Sequence, residues 1–333
     1  MGSLNVVDYV IFALMLAVCG AIGIYHAIRS KQQQTTENFL MANHSMGKFP
    51  IAMSLLVSFV SAIAILGIPS EVYTYGLSYV LVSVAMTIVM LTSAFLYVPV
   101  FYKLKITSTN EYLEKRFTPG LRLVGSILFL LTYTMYLSIA LFAPALALET
   151  VTGLSMIISI VLNGAVCVFY TSLGGIKAVI WTDVFQGFVI ITGMLCIFIT
   201  GIIEVGGFGN VWRINKEMGR TDVFNFDPDP TIRSTFWTFT VGGVFTYLYS
   251  WSVSQLSVQR FLATRSLKEA QKAVLINIPV FIFIAVICSL DGLVIFAVYH
   301  DCDLAKEKKV TRNDQILPFF VVDKLGYLTG VPG

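Results

Sequence analysis

Polar and helix-breaking residues interrupt one long apolar segment near position 60. Ser54, Ser58 and Ser61 recur at helical spacing on one face, and Gly67 and Pro69 follow in the same segment. Small residues of this kind permit two helices to pack closely. Glycine and proline inside an apolar segment also free backbone carbonyls, and a broken helix uses such carbonyls to coordinate an ion. The residues by themselves leave close packing and ion binding equally open.

A second chemical signal is Asp183, a carboxylate about one and a half helical turns inside another apolar segment. A charge is costly at membrane depth, so acids in such positions usually face a polar cavity and take part in function. The alternative is a structural acid at the membrane boundary, paired with a nearby lysine or arginine. We predict a functional carboxylate, while the pairing stays open.

No constellation in the sequence is typical of an enzyme. The three histidines (His26, His44 and His300) are scattered at the ends of apolar segments, and the five cysteines lack metal-ligand spacing. No glycine-rich phosphate loop follows a strand, and no serine, histidine and aspartate are placed to act together. The sequence therefore predicts a protein that is not an enzyme and has no cofactor.

The segments that position these residues are predicted to be membrane helices. Of the 333 residues, 56% are hydrophobic and 12% are charged, whereas a soluble domain carries about 25% charged residues. The apolar blocks are long enough to cross a bilayer core of ~30 Å as helices, and lipid offers exposed backbone groups no partner. We predict an all-α polytopic membrane protein with a single transmembrane domain over residues 1–333. About eight helices are predicted, at residues 6–28, 50–75, 78–101, 123–149, 155–173, 178–203, 235–258 and 274–299, with outer loops at 204–234 and 300–333.

The basic residues favour one orientation of these helices. Thirteen of the 22 Lys and Arg residues fall in connections that face inward if the N-terminus is outside, and acidic residues outnumber basic ones in the two outer loops. Because positively charged loops stay on the cytoplasmic side, we predict an outside N-terminus. The basic cluster at 102–122 then orients helices, so we expect contact with the lipid bilayer and none with nucleic acid.

Several motifs, in order along nearly the whole chain, resemble the sodium/solute symporter family. They are SAIAILGIPSEVY at 61–73, YTSLGGIKAVIWTDVFQ at 170–186, FWT at 236–238 with Gly-Gly at 242–243, VQR at 258–260 and YHDCD at 299–303. The sequence is most similar to the branch that holds the monocarboxylate, multivitamin and iodide transporters.

This resemblance implies a fold. It is the LeuT-like inverted repeat of five plus five helices, preceded by one extra N-terminal helix, with substrate and sodium sites where the first helix of each repeat is broken. In this chain those helices are the segments 50–75 and 235–258. Members of the family are much longer, so the resemblance also implies that the second repeat is truncated here and that the sodium site is incomplete.

The resemblance implies sodium-binding residues as well. The main sodium site uses backbone carbonyls of the first core helix, which correspond to Val57 and Val60. Asp183 matches an acidic residue of the family near the sodium exit path. No metal other than sodium, the coupling ion, is expected.

Substrate-binding residues follow from the same resemblance. Ser61 and Ala64 lie at the first core helix, and Trp251 and Gln255 match positions near the substrate cavity. Ala64 stands where the iodide transporter has a polar residue, which argues against iodide. The multivitamin and monocarboxylate alternatives stay nearly tied.

The function implied is sodium-coupled symport of a small organic anion across the plasma membrane by alternating access. The anion is a monocarboxylate or a vitamin such as biotin or pantothenate. The alternative is a truncated fragment that does not transport, or a regulatory partner that associates with a full-length symporter. A passive anion channel is a third interpretation, and it would conduct without sodium.

Overall fold

The computed structural model describes residues 6–30, 36–104, 106, 108–302, 304, 306–307 and 309–327. Asp303 of the YHDCD motif and residues 328–333 of the predicted outer loop lie outside these described residues. Within them the chain is helical and forms no strand, which confirms the predicted all-α class.

Most of the helices follow one another with short connections, and longer ones separate α10 from α11 and α13 from α14. In chain order they are α1 (Val6–Ser30), α2 (Thr36–Met41), α3 (Lys48–Phe59), α4 (Ala62–Tyr75), α5 (Val82–Thr92), α6 (Val98–Leu104), α7 (Thr109–Arg116), α8 (Pro119–Thr152), α9 (Met156–Val205), α10 (Phe208–Glu217), α11 (Gly243–Ser252), α12 (Gln255–Leu262), α13 (Leu267–Val298) and α14 (Ile316–Leu325). Short 3-10 turns lie at Ala42–His44, Leu77–Leu81 and Asn313–Gln315, and single π-helical turns lie at Ser93–Tyr97 and Thr238–Gly242.

Several of these helices have the length and apolar composition to cross a membrane. Among the described residues there are five such stretches, namely Val6–Arg29, Leu77–Leu104, Pro119–Thr152, Met156–Val205 and Leu267–Val298. The stretch Leu77–Leu104 includes α5, α6 and the turns beside them. The pair α3 and α4 passes the same test jointly and is bent by 58° at its break. The number of membrane crossings stays a prediction.

The helix α9 combines two segments that the sequence analysis treats as separate spans, 155–173 and 178–203. It has 50 residues, and a straight helix of that number would be about 75 Å long, more than twice the bilayer core. Its backbone departs from helical geometry at Gly175, with φ 60° and ψ −159°. A Cβ at this position would lie 2.9 Å from the carbonyl oxygen of Phe39. Only glycine therefore accommodates both this backbone and the close approach of α2.

The first broken helix changes direction at Val60 and Ser61. Val60 has φ −83° and ψ 69°, and Ser61 is extended with ψ 173°. The helix resumes at Ala62 and continues through Gly67 and Pro69. The break therefore precedes the glycine and proline that drew attention to this segment in the sequence.

A second break separates α11 from α12 at Val253 and Ser254. The Ser254 hydroxyl accepts a hydrogen bond from the backbone N–H of Ser257 at 3.4 Å, which caps the new helix. The two breaks lie in the segments 50–75 and 235–258, where the resemblance implies them.

The long helix α13 packs against α4, α9 and α3 at the centre of the molecule. Its contact with α4 is close at Gly292, where a Cβ would lie 2.6 Å from the carbonyl oxygen of Pro69. The absence of a side chain here lets the α13 backbone lie directly against α4, the second half of the first broken helix.

Candidate functional site

A cavity of about 580 Å³ lies beside the break between α3 and α4. Val60, Ser61 and Ala64 contribute to its lining from the broken helix, and Trp251 contributes from α11. Four of the seven site residues expected from the sequence thus surround one cavity. The remaining wall is largely apolar and aromatic, with Phe59, Tyr79, Met86, Tyr136, Phe239, Tyr247 and Phe281 among its residues.

The indole ring of Trp251 connects the two broken helices. It is only 1% exposed, and its centroid lies 4.7 Å from that of Phe59 with the rings tilted by 32°. Phe281 of α13 contacts it edge-on, with centroids 6.4 Å apart. These aromatic contacts hold Ser252, the last residue of α11, close to the interior, where its hydroxyl lies 2.5 Å from that of Ser93.

The break presents opposite partial charges to the cavity region. The last turn of α3 ends in carbonyl groups without intrahelical donors, and the first turn of α4 begins with N–H groups without intrahelical acceptors. The first arrangement favours a cation and the second an anion. Val60, at the junction, is buried and lines the cavity. Val57 lies one turn earlier, and its side chain points toward Gly187 of α9 instead.

Asp183 lies outside the cavity lining, in a buried ion pair with Arg260. The Arg260 Nη2 to Asp183 Oδ2 distance is 3.3 Å. The Ser54 hydroxyl donates to the same carboxylate oxygen at 2.5 Å and accepts from Arg260 Nε at 2.7 Å. Ser58 accepts from Arg260 Nη2 at 2.6 Å. The serine face of α3 thus binds a charged pair, and Asp183 has the basic partner that the sequence analysis weighed as the alternative.

Gln255 also lies away from the cavity lining. Its side-chain oxygen accepts from the backbone N–H of Thr109 at 2.9 Å and from the Thr109 hydroxyl at 3.2 Å. Thr109 is the first residue of the short helix α7. In this conformation Gln255 therefore holds α7 against the start of α12, and its role in substrate binding stays a prediction.

The mouth of the cavity carries an ion pair between Glu71 of α4 and Arg233, which precedes α11. Arg233 Nη2 donates to both carboxylate oxygens, at 3.0 and 2.9 Å, and Nε donates to Oε1 at 3.1 Å. The guanidinium also lies over the ring of Tyr75, 4.4 Å from its centroid. Hydrogen bonding to Glu71 raises the pKa of the Arg233 guanidinium above its ordinary value.

Sequence reasoning did not identify Arg233 or Arg260 as site residues. Each lies at the end of an apolar segment, where a basic residue is usually an orienting charge. The aromatic residues of the cavity wall were missed for a similar reason, since aromatic residues are common throughout the apolar segments. Among the described residues, no group of three or more His, Cys, Asp and Glu could hold a metal ion.

The known proteins to which this chain is similar include sodium-coupled transporters. The model of the family described as "Sodium:solute symporter family" matches residues 39–327. Sodium-coupled monocarboxylate transporter 1 of Homo sapiens is 43% identical over 333 residues, 100% of this chain and 54% of that protein. The sodium-dependent multivitamin transporter of Oryctolagus cuniculus is 41% identical over 99% of this chain and 52% of its own length. The sodium/iodide cotransporter of Homo sapiens is 40% identical over 98% of this chain and 51% of its own length. The chain thus spans about half the length of the curated relatives it matches.

A solved structure shares the fold. The substrate-bound outward-open state of a Na⁺-coupled sialic acid symporter superposes with a TM-score of 0.90 and 26% sequence identity. The match covers 98% of this chain and 68% of the other. It confirms the predicted LeuT-like, all-helical architecture.

Proposed function

Because the chain belongs to the sodium:solute symporter family, we propose that it takes part in sodium-coupled symport of a small organic anion. The relatives are named as transporters and cotransporters, in agreement with the prediction that the chain is not an enzyme. The observation that carries the proposal is the cavity at the broken helix, where a cation-favouring helix end and an anion-favouring helix end meet.

The proposed substrate is a monocarboxylate or a vitamin such as biotin or pantothenate. Relatives named as monocarboxylate and multivitamin transporters support this class. The cavity volume of about 580 Å³ falls within the range of small-molecule sites. Its aromatic wall suits the apolar part of such an acid, and the N-terminal end of α4 suits its carboxylate. We place Ser61, Ala64 and Trp251 around the substrate.

The proposed sodium site lies on the other side of the break. The carbonyls of Val57 and Val60 belong to the last turn of α3, where the negative end of the helix dipole favours a cation. Asp183 is assigned to the path by which sodium leaves toward the cytoplasm. In support, Asp183 is buried beside α3, where Ser54 and Arg260 both contact its Oδ2.

The proposed mechanism is alternating access. Sodium binding at the break stabilises an outward-open state, and the organic anion then enters beside α4. The membrane potential contributes ~2.3 kcal/mol per elementary charge per 100 mV to inward movement of the cation. We propose a multi-pass protein of the plasma membrane with its N-terminus outside, as the distribution of basic residues indicates.

Uptake of radiolabelled butyrate and biotin into cells that express this 333-residue chain tests the proposal, in sodium and in choline medium. We expect accumulation in sodium only. Asp183→Asn should lower it, whereas Asp229→Asn, in the outer loop, should leave it unchanged at equal surface expression. Equal uptake in sodium and in choline medium would contradict symport and favour a channel. No uptake despite surface expression would favour the fragment, or association with a full-length symporter.

A further inference from the structure

The charged residues that line the cavity are a single pair. Among the described lining residues, only Glu71 and Arg233 carry formal charge, and the other residues are apolar, aromatic or neutral. A carboxylate that enters this cavity therefore meets one cationic side chain, and that side chain already holds a carboxylate of the protein.

The geometry of the pair is that of carboxylate recognition. The planar guanidinium of Arg233 donates from Nη2 to both oxygens of Glu71 and from Nε to one of them. This fork matches a carboxylate in shape as well as charge, which an ammonium group does not do. Arg233 therefore binds the carboxylate of Glu71 in the way it would bind the carboxylate of a free ligand.

The two partners differ in their access to solvent. The side chain of Arg233 is 63% exposed, whereas that of Glu71 is 20% exposed. The arginine is held at its backbone, since its carbonyl accepts from the Thr238 hydroxyl at 3.0 Å. The guanidinium is therefore open to a dissolved anion, while its position at the cavity mouth is defined.

We propose that Arg233 is an entry site for the carboxylate of the transported anion, and that Glu71 occupies it until the substrate exchanges with it. The inference rests on the proposed function, since it assumes an organic acid as substrate. Because the Arg233 side chain is 63% exposed, a dissolved carboxylate competes with Glu71 for the same guanidinium donors. Exchange favours acids over their neutral amides, because only an acid replaces the charge that Arg233 loses.

Chemical modification of the arginine tests this without any transport step. The full chain is reconstituted in lipid nanodiscs and treated with phenylglyoxal, and the rate of modification at Arg233 is measured by peptide mass spectrometry. Butyrate and biotin are the carboxylate probes, and butyramide and biotinamide are their neutral counterparts. Arg213, an exposed arginine of α10 beside Glu217, is the internal control in every sample.

We expect butyrate or biotin to slow modification of Arg233 while the amides do not, and Arg213 to be unaffected by any probe. In Glu71→Gln the competing carboxylate is gone. Arg233 should then react faster without probe, and the concentration of acid giving half-protection should fall about two- to fivefold. Size-exclusion profiles confirm that the variant is folded, and the wild-type result stands if it is not.

Two outcomes would overturn the inference. One is the same modification rate at Arg233 with and without the acids. The other is equal protection by chloride or by the amides, which would indicate a general anion effect or simple occlusion. Loss of sodium-dependent uptake with protection intact would count against the proposed transport function alone, so the two proposals fail separately.

Discussion

Arg260 of α12 and Asp183 of α9 form a buried ion pair, with 3.3 Å between Nη2 and Oδ2. Ser54 of α3 bridges them, since its hydroxyl donates to the carboxylate and accepts from Arg260 Nε. The cluster ties both broken helices to α9. A movement of either broken helix against α9 must strain or break this cluster, so it links their positions.

Removal of one member should be far more costly than removal of an exposed charge. Arg260→Gln leaves the Asp183 carboxylate buried without its cation, and we expect a loss of about 3–5 kcal/mol in the free energy of unfolding. Denaturation in SDS, followed by tryptophan fluorescence, measures this. Asp183→Asn added to Arg260→Gln should recover part of the loss, because the uncompensated charge is gone.

The matched control for this pair is Arg122, whose partner Glu114 lies at the surface. Arg122→Gln should change stability by less than about 1 kcal/mol, because exposed ion pairs are screened by solvent. If Arg260→Gln and Arg122→Gln lowered the free energy of unfolding equally, burial would not explain how much the Asp183–Arg260 pair contributes to stability.

Trp251 should support both the cavity and the contact between the broken helices. Trp251→Ala removes a fully buried ring that packs on Phe59 and Phe281, with an expected cost of about 3–5 kcal/mol. Trp251→Phe retains a ring and should cost clearly less. Thermal unfolding in detergent measures both, and an alanine variant as stable as the phenylalanine variant would contradict this packing role.

Gly292 should tolerate no side chain. In Gly292→Ala the new Cβ would lie 2.6 Å from the Pro69 carbonyl oxygen and 2.7 Å from Val72 Cβ. Neither atom can move without moving α4, so we expect a loss of thermal stability and of folded yield. Gly164→Ala is the control, because a Cβ at Gly164 meets no atom within 4 Å. That variant should be neutral or stabilising by about 0.5–1 kcal/mol.

Gly175 should be required for the change of direction within α9. Its backbone lies in a region open to glycine almost exclusively, so Gly175→Ala should cost about 1–3 kcal/mol from strain, before its clash with Phe39 is counted. Gly193→Ala, in regular helix of α9 with open space around it, provides the comparison. Thermal unfolding of the two variants should separate them, and similar midpoints would contradict the role given to Gly175.

The predicted sites differ in how well local sequence could place them. Ser61 and Ala64 belong to the motif at 61–73 on the broken helix, whereas Trp251, beside the second break, was predicted from the resemblance alone. All three line one cavity. The position of the break was harder to predict from the sequence. The helix α4 continues through Pro69, and the carbonyl of Pro69 lies against Gly292 of α13, a contact with a distant part of the chain that local sequence does not reveal.

The partner of Gln255 could not be predicted from local sequence either. A polar side chain near an expected binding cavity is an ordinary candidate for substrate binding, and its spacing says nothing about competing partners. The structure offers Thr109, at the start of α7, as the partner. That partner becomes available only because α7 lies against α12 in the folded chain.

The sequence by itself determined the membrane class, the family and the two segments that break, because apolar block length and ordered motifs are local properties of the chain. Only the tertiary structure decided which charges pair. Asp183 and Arg260 are 77 positions apart, and Glu71 and Arg233 are 162 positions apart. Such pairs form where helix packing brings side chains within hydrogen-bonding distance, and in a low-dielectric interior a buried charge depends on the partner that packing supplies.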